Sequence, residues 1–385
     1  MKTSSPIRVL IVDDSATVRK ILSDALRNAP GIEVVGTAPD PYVAREKILA
    51  LNPDVLTLDI EMPRMDGLTF LKKLMDYKPM PVIMISSLGQ ASAAATMEAF
   101  RLGAVEVLAK PHGPYSVGDL ANSLADKIRA CAQANPRAFK PSPAVIAEVS
   151  APPAPAPIVA QPVAQPISSF VPPPPSGALP GFASRRIIAI GSSTGGPQTV
   201  AKIVSQFPAD MPPVLITQHM PAGFTTHFAE RLNKSCAMEV REAKDGDDVH
   251  PGLILIAPGD FHMTLQHTSA GLKVRVAGGP QVCFSRPSVD VLFASVAQLV
   301  GGPALGVLLT GMGTDGARGM LQMRQTGSVT IAQDENTSIV YGMPKEAARI
   351  GAAAMTLPVE KIAGEILRQI SQPFVRKAAA IGRSS

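Results

Sequence analysis

Residues 187–197 read IIAIGSSTGGP, an apolar run that ends in two serines set among three glycines and a proline. A buried strand needs only one or two small residues to turn. The surplus glycine and the hydroxyls at the tip leave two uses for this turn. It cradles a phosphate on its backbone amides, or it presents a serine as a nucleophile. Residues 191–195 match G-x-S-x-G with Ser193 central, a pattern that sets a serine on a sharp strand-to-helix turn beside free amides. The next helix should start near Pro197, adding its positive dipole end. G-x-x-x-x-G-K-[ST] and G-x-G-x-x-G spacings do not occur in this turn.

The same strand-then-turn grammar repeats outward along the chain. RIIAI, PVLIT, LILIA, ALGVLLT and SVTIA read as strands of one sheet, and MTLQHTSAGLKVRV reads as an antiparallel hairpin inserted in it. Nearer the start, IRVLIV, IEVVGT, DVLTLD, PVIMIS and AVEVLA alternate with helical stretches such as ATVRKILSDALRNA. That alternation predicts parallel α/β sheets, here two doubly wound domains: a five-stranded first one, and a larger, mostly parallel second one carrying the hairpin. Between them, residues 136–180 hold 14 of the 37 prolines. Proline lacks an amide hydrogen and fixes φ, so this stretch reads as an extended spacer. The expected division is 1–130, a Pro/Ala-rich linker 131–184, a second domain 185–372 and a tail 373–385.

Composition excludes several classes of function. The 36 basic and 31 acidic residues leave a net charge of +5 with no block of consecutive Lys or Arg, so no nucleic-acid partner is expected. Cys131, Cys236 and Cys283 are far apart and odd in number, which fits a reducing compartment better than a disulfide framework. The start MKTSSPIRVLIVDDS is no secretory signal, and no apolar run approaches the roughly 20 residues of a membrane helix. A cytoplasmic protein without membrane insertion is expected.

The first domain carries an acidic cluster. Asp13 and Asp14 follow its first strand, Asp59 ends the third, Ser86 the fourth, and Lys110-Pro111 follow the fifth. In an open parallel sheet these carboxyl ends meet along one edge. Carboxylates gathered there repel one another unless a hard cation such as Mg²⁺ sits among them, and a lysine and hydroxyl opposite would hold a phosphate. VDDS, LDIEMPRMDG, Ser86 and AKP resemble a response-regulator receiver domain, with its flavodoxin/CheY-like fold, over residues 6–130. The resemblance implies phosphorylation of Asp59 by a histidine kinase. It also implies Mg²⁺ held by Asp13, Asp14, Asp59 and the Glu61 carbonyl, with Ser86 and Lys110 as the switch residues. Where that family often has an aromatic switch residue, this chain has Val107.

In the second domain a nucleophilic serine needs a base. Of the histidines only His219, in PVLITQHMPAGF, directly follows an apolar strand; His227, His250, His262 and His267 fall in helix, loop or hairpin stretches. LLTGMGTDGARGM brings Asp315 to a third strand end, where a carboxylate could orient the imidazole. The order Ser…His…Asp differs from that of α/β-hydrolases. IGSSTGGP, ITQHMPAGFTTHFAERLN, LILIAPGDFHM and LLTGMGTDGARGM resemble the catalytic domain of the chemotaxis protein-glutamate methylesterase and glutamine deamidase (CheB-type) family. The resemblance assigns the nucleophile to Ser193 rather than Ser192, the base to His219 and the orienting acid to Asp315. It places Thr194 and Met312 around the oxyanion. It implies a monomeric hydrolase that demethylates glutamyl γ-methyl esters, and deamidates glutamines, on methyl-accepting chemotaxis receptors. Its activity would be raised by phosphorylation from the chemotaxis kinase, with no cofactor for the hydrolytic step. Three alternatives stay open at this level: a methylesterase of a non-chemotactic chemosensory pathway, a receiver-controlled DNA-binding regulator, and a phosphate-binding transferase.

Overall fold

The computed structural model describes residues 5–86, 90–110, 117–134, 186–269 and 271–372. Most of the expected linker and all of the expected tail lie outside these residues.

In the first half, β1 (Ile7–Val12), β2 (Ile32–Ala38), β3 (Val55–Asp59), β4 (Val82–Ser86) and β5 (Glu106–Ala109) alternate with five helices. These are α1 (Ala16–Arg27), α2 (Pro41–Leu51), α3 (Gly67–Tyr77), α4 (Gln90–Arg101) and α5 (Val117–Ala132). The strands are parallel in the order β2-β1-β3-β4-β5. Every residue of β3 and β4 is buried, because helices cover both faces of the sheet. Side chains that begin helices follow their residue type: Ser15, Asp40 and Asp66 each accept a backbone N–H of the helix they precede.

The second half starts with β6 (Ile188–Ser192), α6 (Gly196–Val204), β7 (Val214–Gln218) and α7 (Phe224–Ser235). Then come β8 (Glu239–Glu242), β9 (Leu253–Ile256), β10 (His262–Thr268), β11 (Gly271–Ala277) and α8 (Val289–Leu299). It closes with β12 (Leu305–Leu308), α9 (Ala317–Gln325), β13 (Val329–Gln333), α10 (Met343–Arg349), β14 (Met355–Leu357) and α11 (Val359–Ser371). Seven strands form one parallel sheet in the order β14-β13-β12-β6-β7-β9-β8.

Two differences from the sequence reading have physical causes. The hairpin β10–β11 is not inserted in the main sheet. It forms its own two-stranded sheet and leans on α8, with Leu265 N–H donating to Ser295 Oγ at 3.0 Å. Its alternating pattern buries one face only, and α8 supplies the cover. The edge strands β8 and β14 were not expected; they are short, and each carries exposed or half-buried residues, so no apolar run announces them.

The halves touch. The backbone carbonyls of Phe100 and Ala104 accept from Gln198 Nε2, the second at 3.2 Å, and the Met97 carbonyl accepts from Arg231 Nη1 at 2.5 Å. One buried apolar cluster runs from β1–β5 through to β6, α6, β7 and α11. No helix among the described residues is long and apolar enough to cross a membrane.

Candidate functional site

β12, β6 and β7 are neighbours at the centre of the seven-stranded sheet, and the turns after them carry Asp315, Ser193 and His219. Register holds these turns together: Leu308 pairs with Gly191, and Ser192 with Gln218. Beyond the ladder, Ser193 N–H donates to the Thr310 carbonyl at 3.0 Å and His219 N–H to the Ser192 carbonyl at 3.1 Å. Gly195 takes φ +76°, a left-handed turn open to glycine, and a Cβ there would fall within 2.6 Å of Ile339. The chain can therefore leave β6 and enter α6, which begins at Gly196, within three residues.

The two adjacent serines have different fates. Ser192 Oγ is fully buried and donates to Gln218 Oε1 at 2.6 Å, while Gln218 Nε2 donates to the Ser193 carbonyl at 2.9 Å. Ser192 is thus a tie between β6 and β7. No hydrogen bond engages the Ser193 hydroxyl among the described residues, leaving it available as a nucleophile.

His219 Nε2 lies 2.8 Å from Asp315 Oδ2. That carboxylate is held by three further donors: Ser288 Oγ at 2.8 Å, Val289 N–H at 2.7 Å and Asp290 N–H at 3.0 Å. The last two belong to the first turn of α8, so its unpaired amides point at the anion. Burial pushes the Asp315 carboxyl up. The His219 ring and the amides more than offset this, so the net direction is downward and the group stays ionised. Nδ1 of His219 faces Ser285 Oγ at 3.4 Å, and no hydrogen bond joins the ring to Ser193.

Thr194 is buried, and its hydroxyl donates to Glu106 Oε2 of β5 at 2.8 Å; Lys127 Nζ of α5 binds the same oxygen at 2.9 Å. Met312 is half-buried, two residues before the exposed Thr314. His262 is buried with both ring nitrogens engaged, by the Pro280 carbonyl at 2.9 Å and the Ser288 N–H at 3.2 Å.

At the other rim, Asp13, Asp14 and Asp59 each bring a carboxylate oxygen within 4.8 Å of the others. Lys110 Nζ binds Asp59 Oδ2 at 2.7 Å and lies 3.5 Å from Asp13 Oδ2. Glu61 N–H donates to Asp59 Oδ1 at 3.2 Å, and Ser86 is buried at the end of β4. Burial, above all, lifts the Asp59 carboxyl to about 6; Asp13 adds to the rise and Lys110 restrains it. Asp13 is raised too, again chiefly by burial. Its Oδ2 is buried without a hydrogen bond. A buried carboxylate oxygen that has only a long ion pair to Lys110 and no hydrogen bond, set among other carboxylates, fits a hard divalent cation.

Both domain types now find relatives. The family described as CheB methylesterase matches residues 188–366, and that described as response regulator receiver domain matches 9–120. A protein-glutamate methylesterase/protein-glutamine glutaminase of Syntrophus aciditrophicus is 50% identical over 366 residues, covering 95% of this chain and 100% of the relative. The chain belongs to this family. A second member, from Salmonella choleraesuis, is 46% identical over 369 residues, covering 95% of this chain and 98% of its own. A crystal structure of the Thermotoga maritima CheB methylesterase catalytic domain is 38% identical, with TM-score 0.47, over 48% of this chain and 98% of that one.

Family motifs led to Ser193, His219 and Asp315 but not to the groups that hold them. Gln218, Ser285, Ser288 and Glu106 escaped the sequence reading. Ser288 was findable, since a serine before the apolar run VDVLF is a helix cap, and its hydroxyl indeed accepts from Val291 N–H at 3.4 Å. Glu106 was visible as the lone charge in AVEVLA, a mark out of place on a buried strand.

Proposed function

We propose that this methylesterase-family chain hydrolyses glutamyl γ-methyl esters, and glutamine side-chain amides, on chemoreceptors, with Ser193 as nucleophile. The carrying observation is the His219–Asp315 pair at 2.8 Å, one strand either side of a serine whose hydroxyl has no partner among the described residues. Asp315 fixes the tautomer in which Nε2 carries the proton, which leaves Nδ1 as the base. Ser193 Oγ attacks the ester carbonyl as the ring takes its proton, and the C–O bond to methanol, or C–N to ammonia, then breaks. Water attacks the acyl-enzyme with the same base, returning the proton to Ser193. Amides at the start of α6, with Thr194 and Met312 nearby, face the developing oxyanion.

A second reading has support in one contact. Ser285, not Ser193, is the hydroxyl nearest Nδ1, at 3.4 Å. Ser193 is preferred because it alone stands at the head of a helix whose amides can receive an oxyanion. Methanol release from methylated receptor membranes by Ser193→Ala and Ser285→Ala separates the two: loss in the second with retention in the first reverses the assignment.

The receiver half supplies control. Asp13, Asp14, Asp59 and the Glu61 carbonyl would hold Mg²⁺, which neutralises the phosphoryl oxygens. Asp59 attacks the phosphorus of a kinase phosphohistidine, the P–N bond breaks, and an acyl phosphate forms. Lys110 and Ser86 stand ready to meet its oxygens. In the unphosphorylated chain, β5 and α4 sit on the turn that carries Ser193 and Thr194, joined by Glu106–Thr194 and Gln198. That contact blocks the site, and phosphorylation loosens it. The division at 131–184 leaves a tether that keeps the released receiver close. The protein works in the cytoplasm as a monomer, in chemotaxis or a related chemosensory pathway.

A further inference from the structure

Three of the five non-glycine residues with left-handed backbone, among those described, fall on two loops beside His219: Asp260 at φ +67°, Cys283 at +49° and Phe284 at +63°. Cys283 and Phe284 are the central pair of a tight turn closed by Val282 N–H to the Ser285 carbonyl at 3.1 Å and the reverse bond at 2.9 Å. A turn with both central residues at positive φ favours Asn-Gly, and a bulky aromatic is costly there. Nothing in the fold repays the cost, for Phe284 is 96% exposed.

A second exposed aromatic stands on the adjoining loop. Phe261 is 46% exposed, just before β10. The two loops are bonded through Asp260 N–H to the Arg286 carbonyl at 3.3 Å. The loop of Phe261 also presses on the chain just past His219: a Cβ at Gly259 would lie 2.3 Å from the Ala222 nitrogen. The loop of Phe284 carries Ser285, 3.4 Å from the His219 ring. Both aromatics are therefore fixed to the rim of the site by backbone bonds and close packing, while their rings face solvent.

The geometry points to Phe261 and Phe284 as the substrate-docking pair of the esterase. They would bury their rings against apolar side chains of the polypeptide that flank the ester-bearing glutamate. This rests on the hydrolase reading above. A γ-methyl ester alone offers almost no surface, so recognition of a protein substrate must come from contacts beyond the reacting group, and an exposed aromatic can bury about 150–250 Å². With the backbone already held on a constrained turn, binding has only side-chain freedom left to remove. Apolar docking of this kind selects for a folded or helical stripe of aliphatic residues and ignores a free amino-acid ester.

The test compares two substrates on the full chain with Mg²⁺ and a small phosphodonor. One is receptor membranes bearing labelled methyl esters; the other is N-acetylglutamate γ-methyl ester. Phe284→Gly suits the backbone and keeps the turn, Phe261→Ala removes the second ring, and Phe284→Leu keeps an apolar group. In Phe284→Gly the ratio of kcat/KM for membranes to that for the small ester should fall about tenfold, mostly through KM. Phe261→Ala should lower it less, the double variant should lower it furthest, and Phe284→Leu should restore part. An unmoved ratio in Phe284→Gly and the double variant, whether both rates hold or fall together, overturns the docking role and leaves the hydrolase intact. A wild-type chain that cleaves neither ester overturns both.

Discussion

The two parallel sheets put chemistry at the same place, the carboxyl ends of central strands, yet they treat buried carboxylates in opposite ways. At the receiver rim, Asp13 and Asp59 are pushed up because burial outweighs what Lys110 and the backbone offer, and one Asp13 oxygen has no hydrogen bond. At the esterase rim, Asp315 is buried too but accepts from His219, Ser288 and two amides, and is driven down. The first cluster keeps a burial cost that a cation or phosphoryl group could relieve; the carboxylate of the second is fully partnered before any ligand arrives. A switch needs a state that an added group can relieve, whereas a catalyst needs dipoles set before substrate arrives.

The widest test of this contrast falls on the esterase rim. Ser193→Ala should lower methanol release by about four orders of magnitude or more, since the residues of a nucleophile–base unit act together. Ser192→Ala should keep most activity while losing about 1–2 kcal/mol of stability, because Gln218 Oε1 loses its buried donor. Comparable losses of activity in the two variants would erase the distinction drawn between the tied and the free serine.

The receiver rim should show its burial cost on removal of the charge. A carboxyl whose folded value is about 6, against about 3.9 unfolded, favours folding below pH 4, and that advantage is lost as pH rises through 6. In Mg²⁺-free buffer, Asp59→Asn should therefore stabilise the receiver at pH 7.5 by about 2 kcal/mol, and the gain should fade toward pH 4. Added Mg²⁺ should raise the melting temperature of the wild type more than that of the variant. Chelator-treated denaturation curves at the two pH values supply the check, and a gain that does not depend on pH would assign the effect to packing instead.

Glu106, at the amino end of β5, links the receiver to the turn that carries Ser193, and its removal asks whether the two halves are coupled. Its carboxylate ties Thr194, next to Ser193, to Lys127 of the receiver. The interface also buries Gln198 Oε1 without a partner, which weakens it by a similar order to one hydrogen bond. A contact so balanced can be released by a modest change. Without phosphodonor, Glu106→Ala should raise esterase activity about fivefold, equivalent to about 1 kcal/mol, and phosphorylation should then add little. Deleting residues 1–135 should raise it further. Basal rates that stay at the wild-type level in both would uncouple the receiver contact from inhibition.

Much of this was legible from the chain, for reasons that also mark where legibility stopped. Strands such as VLTLD and VIMIS are buried on both faces, so they read as unbroken apolar runs, and the turn residues that follow them were found by position alone. Long motifs around Ser193, His219 and Asp315 carried the site. The covering of the hairpin by α8 could not be read, because an alternating strand says which face is buried but not what buries it. The same holds for Glu106: its oddity was visible, but its partner Thr194 lies 88 residues away across a proline-rich stretch. Nor could the sequence show that Nδ1, rather than Nε2, of His219 faces away from Asp315, since that depends on a ring orientation fixed by Ser288 and the start of α8.

That fixing is itself the finest test. Ser288 performs two tasks with one hydroxyl, accepting from Val291 N–H as a helix cap and donating to Asp315 Oδ1. Ser288→Ala should cost about 1 kcal/mol of stability, mainly from the cap. It should also let the Asp315 carboxyl rise toward its usual range, by removing one of its four donors. Because the depressed carboxyl contributes stability above about pH 3.9 and loses it as pH falls through its folded value, part of the difference between wild type and variant should disappear below that pH. The cap contribution is independent of pH and should persist. Urea titrations at pH 7 and at an acid pH below the folded value of Asp315 separate the two parts. A difference that is the same at both would show that Asp315 is held by His219 and the α8 amides alone, and that the hydroxyl serves the helix only.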